Sequence, residues 1–430
     1  MHPIPVILIF DIGKTNKKLF LFDEDYQVVQ ESSIKIAEIK DEDGADCEDL
    51  DALTQWVLSS ITALKQNNAF DIKHIHYSAY GASFIYIDDQ GKPIAPLYNY
   101  LKPYKETTKK QFEQNHGSME EMSLATASPY LGNLNVGLQL YRLKVEQPEK
   151  FNKIKWALHL PQYLHYIVTG ELAADITSIG CHTMLWNFTQ NNYHHWVLKE
   201  GFDKLFPTIQ EQVGLHDSSS ALIPYLSSFT EPFVLISTGT WCISLNPFND
   251  SVLTIQELNQ DALCYLSYSG KPIKAARLFS GKEHEQALLS LNKHFNTPLD
   301  YYTSVKYNSN IKIDETVQFY NAINEFEASH FIDFETAYHY LIASLVQKQV
   351  ISTNLMIANS NVKRIFVDGG FSNNEIFMNL LAKGYNQYEV FAAAIPQASA
   401  IGAALAVHEK WNSKSIPNNL ISLQYYSTKN

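Results

Sequence analysis

Cysteine is scarce in this chain. Its 430 residues include four: Cys47, Cys181, Cys242 and Cys264. No two make a CxxC pair, and no Cys/His spacing is that of a zinc site. A disulfide framework is therefore excluded, and reduced, packed thiols suit a cytoplasmic protein. Positive charge is in deficit as well. Lys and Arg number 33 against 45 Asp and Glu, a formal net charge of −12. An acidic chain without basic clusters lacks the electrostatic footprint for nucleic acid or an anionic membrane, so neither is expected as a partner. Long apolar runs are absent too. The run at 6–10 is short, has no basic flank and stops at Asp11, so it reads as a buried strand and not as a secretory signal. No stretch approaches the roughly 20 apolar residues that span a bilayer.

What is present is an ordinary globular composition, 45% hydrophobic and 18% charged. The length implies two or three domains, each able to bury its own core. The opening reads as a strand at 6–10, a polar turn at 11–16, a return strand at 18–22 and a third strand over 27–34. Residues 50–65 have helical periodicity, with Leu53, Trp56, Val57, Ile61 and Leu64 on one face. Strands follow at 72–79 and 84–87, and 105–200 is mainly helical. Near residue 230 the pattern restarts. A strand at 233–236, a polar turn at 237–240 and a return strand at 241–245 repeat the opening, with Gly239 standing where Gly13 stood. The end alternates helix and strand: 336–350, 362–367, 374–383, 389–393 and 398–408. Strands mixed with helices indicate an α/β class.

Four segments could carry phosphoryl-transfer chemistry, which needs a polyphosphate site, a metal that shares its charge and a base that positions the nucleophile. In the first turn, Gly13 lets backbone amides approach an anion, Thr15 and Asn16 add neutral donors, and Asp11 could hold Mg²⁺ directly or through water. Lys14 could sit over phosphate as a point charge or point to solvent. Gly13-Lys14-Thr15 is not a P-loop, because Leu8 stands where that motif requires glycine. The second turn offers Thr238, Gly239 and Thr240. The segment Asp368-Gly369-Gly370-Phe371-Ser372-Asn373-Asn374 lies at a strand-to-helix junction, where paired glycines allow a flat backbone beside a base and a helix start offers free N–H groups. In Gly214-Leu215-His216-Asp217, the Asp could accept a hydroxyl proton. Each also has a plainer reading: a surface turn with a capping Asp, a duplicated hairpin, a tight turn capped by Ser372 or Asn373, and an Asp capping a helix from Ser218. Other candidates are set aside. His74 and His76 share a strand face but lack a third ligand. His194 and His195 read as surface aromatic packing. The acidic run 41–49 reads as a solvated loop before the helix at Leu50.

In this order, the four segments resemble the FGGY carbohydrate kinases over residues 9–407. Ala398-Ser399-Ala400-Ile401-Gly402 resembles the family's close-packed helix, and Leu160-Pro161-Gln162-Tyr163-Leu164 its central segment. The resemblance implies two actin-like (ribonuclease H-like) α/β domains, 1–228 and 229–430, with the active site between them. It implies a sugar as substrate, ATP and Mg²⁺ as cofactors, Asp217 as catalytic base and Asp11 as metal residue. Nucleotide contacts would come from Gly13, Lys14, Thr15, Asn16, Gly239, Thr240, Gly369, Gly370 and Asn374, and substrate contacts from Gly81, His216 and Asp217. The His216-Asp217-Ser218 and Ser237-Thr238-Gly239-Thr240-Trp241 segments are similar to the rhamnulokinase and fuculokinase branch, which implies a ketose such as L-fuculose or L-rhamnulose. The resemblance leaves a homodimer open. Residues 98–102 depart from the family, with neither the Asp nor the Arg of its substrate segment, which alters the polar contacts that set sugar specificity. Two other classes stay open: a silent sugar-binding regulator and a different actin-like ATPase.

Overall fold

A computed structural model describes residues 2–314, 320, 326–395 and 397–427 of the chain. The first sheet is built from β1 (Ile4–Ile12), β2 (Lys17–Asp23), β3 (Val28–Ile34), β4 (Phe70–Ala79) and β5 (Leu215–His216), in spatial order β5-β4-β1-β2-β3. β1 and β2 are antiparallel, as are β2 and β3, whereas β1, β4 and β5 run parallel. The second sheet contains β6 (Phe233–Thr238), β7 (Cys242–Asn246), β8 (Ala262–Leu266), β9 (Pro272–Leu278), β10 (Arg364–Gly369), β11 (Glu389–Ala394) and β12 (Ser422–Tyr426). Their order is β8-β9-β7-β6-β10-β11-β12. Here β6, β7 and β9 form the antiparallel meander, and β6, β10 and β11 run parallel. The two sheets thus share a five-strand plan, and the second adds an antiparallel strand at each edge. The repeated hairpin that is visible in the sequence is the centre of a repeated topology, as an actin-like fold requires.

Both central hairpins are continuously apolar because both of their faces are covered. On β1, Val6, Leu8 and Phe10 pack with Leu53, Val57 and Ile61 of α1 (Leu50–Lys65), while Ile7 and Ile9 point the other way. Asp49 caps α1 by accepting from Ala52 N at 2.9 Å. On β6, Val234 and Ile236 join a core built mainly on the long helix Phe334–Ile357, while Phe233 and Leu235 face the opposite side. Between the sheets lie α2 (Asp217–Ser228) and α3 (Ala398–Ala406). Leu222 and Ile223 of α2, Ala400 and Ala403 of α3, Ile7 and Ile9 of β1, and Leu235 of β6 belong to one buried cluster. This core joins both sheets and holds the starts of α2 and α3 at the base of the cleft. Their backbones nearly touch: a Cβ on Gly402 would stand 1.8 Å from the Ser220 carbonyl oxygen.

Two local readings of the sequence need correction. The acidic segment 41–49 is not simply solvated. Asp41 and Asp43 pair with Lys102 at 2.5 and 2.6 Å, Glu42 accepts from Tyr98 and Lys150, and Glu48 is buried. His194 is not a surface residue either. It is 4% exposed and accepts the Trp196 N–H at 3.3 Å, capping the short helix His195–Glu200. His76 is buried with both ring nitrogens unpartnered, in keeping with a core histidine. No helix among the described residues is long and apolar enough to cross a membrane.

Candidate active site between the two sheets

Two cavities meet at the turn after β6. One, of about 470 Å³, is lined by Thr238, Gly239, His284, Tyr302, Gly370, Phe371 and Asn374, all from the second half of the chain. The other, of about 370 Å³, lies between the halves. Gly81, Tyr100, His216 and Asp217 line it from the first half, and Thr240, Trp241 and Arg277 from the second. Residues 238–241 therefore form a wall common to both: Thr238 and Gly239 border one cavity, Thr240 and Trp241 the other.

The turn is held by its own backbone and by its neighbour. Gly239 N–H donates to the Trp241 carbonyl at 2.8 Å. Thr238 Oγ1 donates to the Asp368 carbonyl at 2.5 Å and accepts from Phe371 N–H at 3.0 Å, so the second and third candidate segments are one hydrogen-bonded unit. Gly369 is required there. Its φ of +86° is left-handed, and a Cβ would stand 1.9 Å from the Thr238 carbonyl oxygen. Asn374 lines the larger cavity, but its side chain is already engaged. Its carbonyl oxygen caps the helix Glu375–Gly384 at Phe377 N, 3.0 Å away, and its amide donates to Tyr338 OH at 2.7 Å.

Asp217 is the first residue of α2. Its Oδ1 accepts from Ser218 N–H at 2.6 Å and lies 3.3 Å from His216 Nε2. The plainer expectation of a helix capped by Asp217 is displaced by one residue, since His216 holds the cap position. The segment is braced from beneath. Gln162 donates to the Gly214 carbonyl at 3.0 Å, and Thr177 Oγ1 accepts from His216 N–H at 2.9 Å while donating to Asp175. These contacts give the Leu160–Leu164 segment and Asp175 a physical task, which is to fix the strand end that presents Asp217. Burial pushes the His216 imidazole below the usual histidine range, against the opposing pull of Asp217.

Asp11 is the penultimate residue of β1, at the base of the cleft. Burial pushes its carboxyl up to about 6, and the Asp217 charge adds to that push. Ser399 Oγ donates to Asp11 Oδ2 at 2.8 Å and, with Lys18, opposes it. Lys18 also donates to Gln397 at 3.3 Å, just before α3. Gly13 N–H closes the first turn on the Asn16 carbonyl at 3.0 Å, and Thr15 and Asn16 are exposed. The turn itself borders neither cavity; Asp11 is its link to the site.

Lys14 is placed differently from either expectation. Its ammonium lies 2.8 Å from Glu38 and 3.2 Å from Glu48, and the buried Glu48 also pairs with Lys17 at 2.9 Å and accepts from Tyr80 OH at 2.8 Å. The Lys14 charge is thus balanced by carboxylates instead of standing free for phosphate or solvent. Several site residues had escaped the sequence reading. In the sequence Ser399 reads only as a small packing residue, and Arg277, Tyr265 and His182 stand in segments without a motif. Arg277 pairs with Asp261 at 2.6 Å and lies over the Trp241 ring at 5.4 Å.

The Asp11 shift gives a pH test. The unfolded carboxyl ionises near the ordinary aspartate value of 3.8 and the folded one near 6. Between those values the folded state binds more protons, so stability falls as pH rises, and the cost is fully present above about 6. Asp11→Asn should therefore raise the metal-free melting temperature at pH 7.5, by an amount corresponding to about 1–2 kcal/mol after allowance for solvent reach, and should give little gain at pH 4. Paired thermal melts across that range check the sign.

Models of the FGGY family of carbohydrate kinases match the chain twice, the N-terminal domain at residues 6–203 and the C-terminal domain at 230–415. The chain belongs to this family. Among curated relatives, a rhamnulokinase of Halalkalibacterium halodurans is 23% identical over 262 residues, 55% of each chain. A rhamnulokinase of Yersinia pestis is 25% identical over 231 residues, covering 48% of this chain and 46% of its own. The chain thus spans about half the length of the curated relatives it matches. Among solved structures, a carbohydrate kinase from Novosphingobium aromaticivorans superposes with a TM-score of 0.78 at 19% identity, covering 99% of this chain and 94% of its own. A xylulose kinase from Lactobacillus acidophilus gives 0.78 at 15% identity, covering 98% and 93%. These likenesses establish the two-domain actin-like fold.

Proposed function

We propose that the protein is a cytoplasmic, ATP-dependent carbohydrate kinase that phosphorylates a hydroxyl of a small sugar, a ketose such as L-fuculose or L-rhamnulose. The observation that carries this reading is the wall at 238–241, with a cavity on each side. A phosphoryl group passing from nucleotide to acceptor needs such an arrangement, because donor and acceptor must meet in line across one short barrier. We assign 1–228 to the sugar-binding domain and 229–430 to the nucleotide-binding domain. The curated rhamnulokinases support the branch, and the FGGY match supports phosphotransfer to an alcohol group.

In this mechanism Gly370 and Asn374 border the nucleoside, and Gly369 sets the backbone beside it. Thr15, Asn16 and Thr240 donate to phosphate oxygens from opposite sides, on turns that Gly13 and Gly239 close with their own N–H groups and keep open to the phosphates by having no side chain. Gly81 and His216 contact the sugar. Asp217 accepts the proton of the attacking hydroxyl. Its Oδ1 is already held by Ser218 N–H, which fixes the carboxylate. Asp11, an oxygen donor at the cleft base beside a second carboxylate, fits a hard cation that uses one or two carboxylates plus phosphate oxygens, and would hold Mg²⁺ directly or through water. When bound, that ion supplies charge neutralisation at the phosphates. An ADP-release assay with Mg·ATP and a panel of ketoses and aldoses tests the substrate. Stimulation is expected from a 6-deoxyketohexose; stimulation by aldoses alone would remove the ketose assignment.

A further inference from the structure

Two donors that the kinase reading does not use, Cys181 and His182, stand beside His216 at the sugar-side cavity. Cys181 Sγ and a ring nitrogen from each of His182 and His216 lie within 4.8 Å of one another. Cys181 is fully buried and His216 is 3% exposed. Nδ1 of His182 and Nδ1 of His216 are buried without hydrogen-bond partners, an arrangement that costs free energy unless a ligand answers it. Burial pushes both imidazoles below the usual histidine range, His182 well below, so each keeps a lone pair for a ligand. Gly81 leaves space open beside Cys181 and the His216 ring. A Cβ there would lie 2.9 Å from Cys181 Sγ and 3.0 Å from His216 Nε2.

We propose that Cys181, His182 and His216 form a binding site for a borderline-soft divalent cation of the zinc class, and that the bound ion blocks the sugar cavity. The donor set is one sulfur and two imidazole nitrogens, which selects zinc or cobalt over magnesium. Donors around a tetrahedral zinc stand roughly 3.5 Å apart, so a pair at the 4.8 Å limit closes by roughly 1.3 Å on binding. Coordination displaces the thiol proton to solvent and leaves the thiolate on the ion. Three protein ligands leave one position for water or a neighbouring carboxylate. His182 and His216 both line the sugar-side cavity, and His216 touches Asp217, so occupancy removes a sugar contact and disturbs the base. The blocking step rests on the kinase reading; the metal site does not.

The test uses the full chain freed of metal, with Co²⁺ as an optical probe. Addition of Co²⁺ should produce a thiolate-to-cobalt charge-transfer band that saturates at one ion per chain and is erased by Zn²⁺. The band should vanish in Cys181→Ser, and His182→Gln should weaken binding at least about tenfold. In turnover assays Zn²⁺ should raise KM for the sugar with kcat and KM for Mg·ATP little changed, and Cys181→Ser should relieve the effect. No charge-transfer band in the wild type, or an identical band in Cys181→Ser, overturns the site. A thiolate-bound ion that leaves the sugar KM unchanged overturns the blocking role. The optical signal needs no turnover, so it decides the site even if no tested sugar is phosphorylated.

Discussion

Replacing Asp217 by Asn is expected to lower kcat by about 10³-fold while KM for Mg·ATP stays near its wild-type value. The substitution changes one atom. Asn keeps an oxygen for the Ser218 N–H that now holds Oδ1 at 2.6 Å, so the start of α2 is preserved. What it removes is the capacity to take a proton and the negative charge beside Asp11. Because the Asp217 charge helps to raise the Asp11 carboxyl, that carboxyl should ionise at lower pH in the variant. Rapid kinetics with saturating sugar would measure the first effect, and pH-dependent melts of the two proteins the second. A variant that keeps more than roughly a tenth of wild-type turnover would remove the base assignment, since general-base contributions are rarely below about 10²-fold.

Gly402→Val should cost about 3 kcal/mol of stability or more, and should damage activity in the molecules that remain folded. The reason is the crossing of α2 and α3, where even a Cβ at residue 402 would lie 1.8 Å from the Ser220 carbonyl oxygen. That obstacle is backbone and has no rotamer with which to retreat. Ser220 Oγ also donates to the Ser399 carbonyl at 2.7 Å, so forcing the helices apart breaks a bond at the turn that supplies the Asp11 partner. Asp217 begins α2 and Ser399 lies in the first turn of α3, so one displacement disturbs both carboxylates. Ala403→Ser, placed one residue away, is a milder control for polarity in the same helix. Urea unfolding of both variants measures the effect. A loss below about 1 kcal/mol for Gly402→Val would show that the crossing yields more readily than the close approach implies.

The strands that carry the fold were legible because both faces of each central hairpin are buried, leaving continuous apolar runs such as Val6 to Phe10 that end at polar turns. The duplication was only suggested by one repeated hairpin. The parallel pairing of β10 on β6 and of β11 on β10 makes it plain, and the β6–β10 pairing, between strands more than a hundred residues apart, leaves no local trace in sequence. The site was partly legible for the same reason. Gly81, His216, Asp217 and Thr240 line one cavity and Gly239, Gly370 and Asn374 the other; turn chemistry pointed to the glycines at 239 and 370, whereas Gly81 and His216 entered only through the family resemblance. Lys14 stands among phosphate-turn residues in sequence, whereas its partners in space, Glu38 and Glu48, lie more than twenty residues further along the chain. Ser399 was invisible as a functional group. A serine among alanines reads as packing until the fold brings its hydroxyl to Asp11, 388 residues away.

The most direct test of the account follows the γ-phosphoryl group itself. Purified protein would be given γ-labelled ATP, Mg²⁺ and the sugar that best stimulates ADP release, and the label traced into sugar phosphate or inorganic phosphate. The account predicts one labelled sugar phosphate for each ADP formed, with little inorganic phosphate when sugar is withheld. Label appearing as inorganic phosphate at the same rate with and without sugar would contradict it, and would point to an actin-like ATPase built on the same fold.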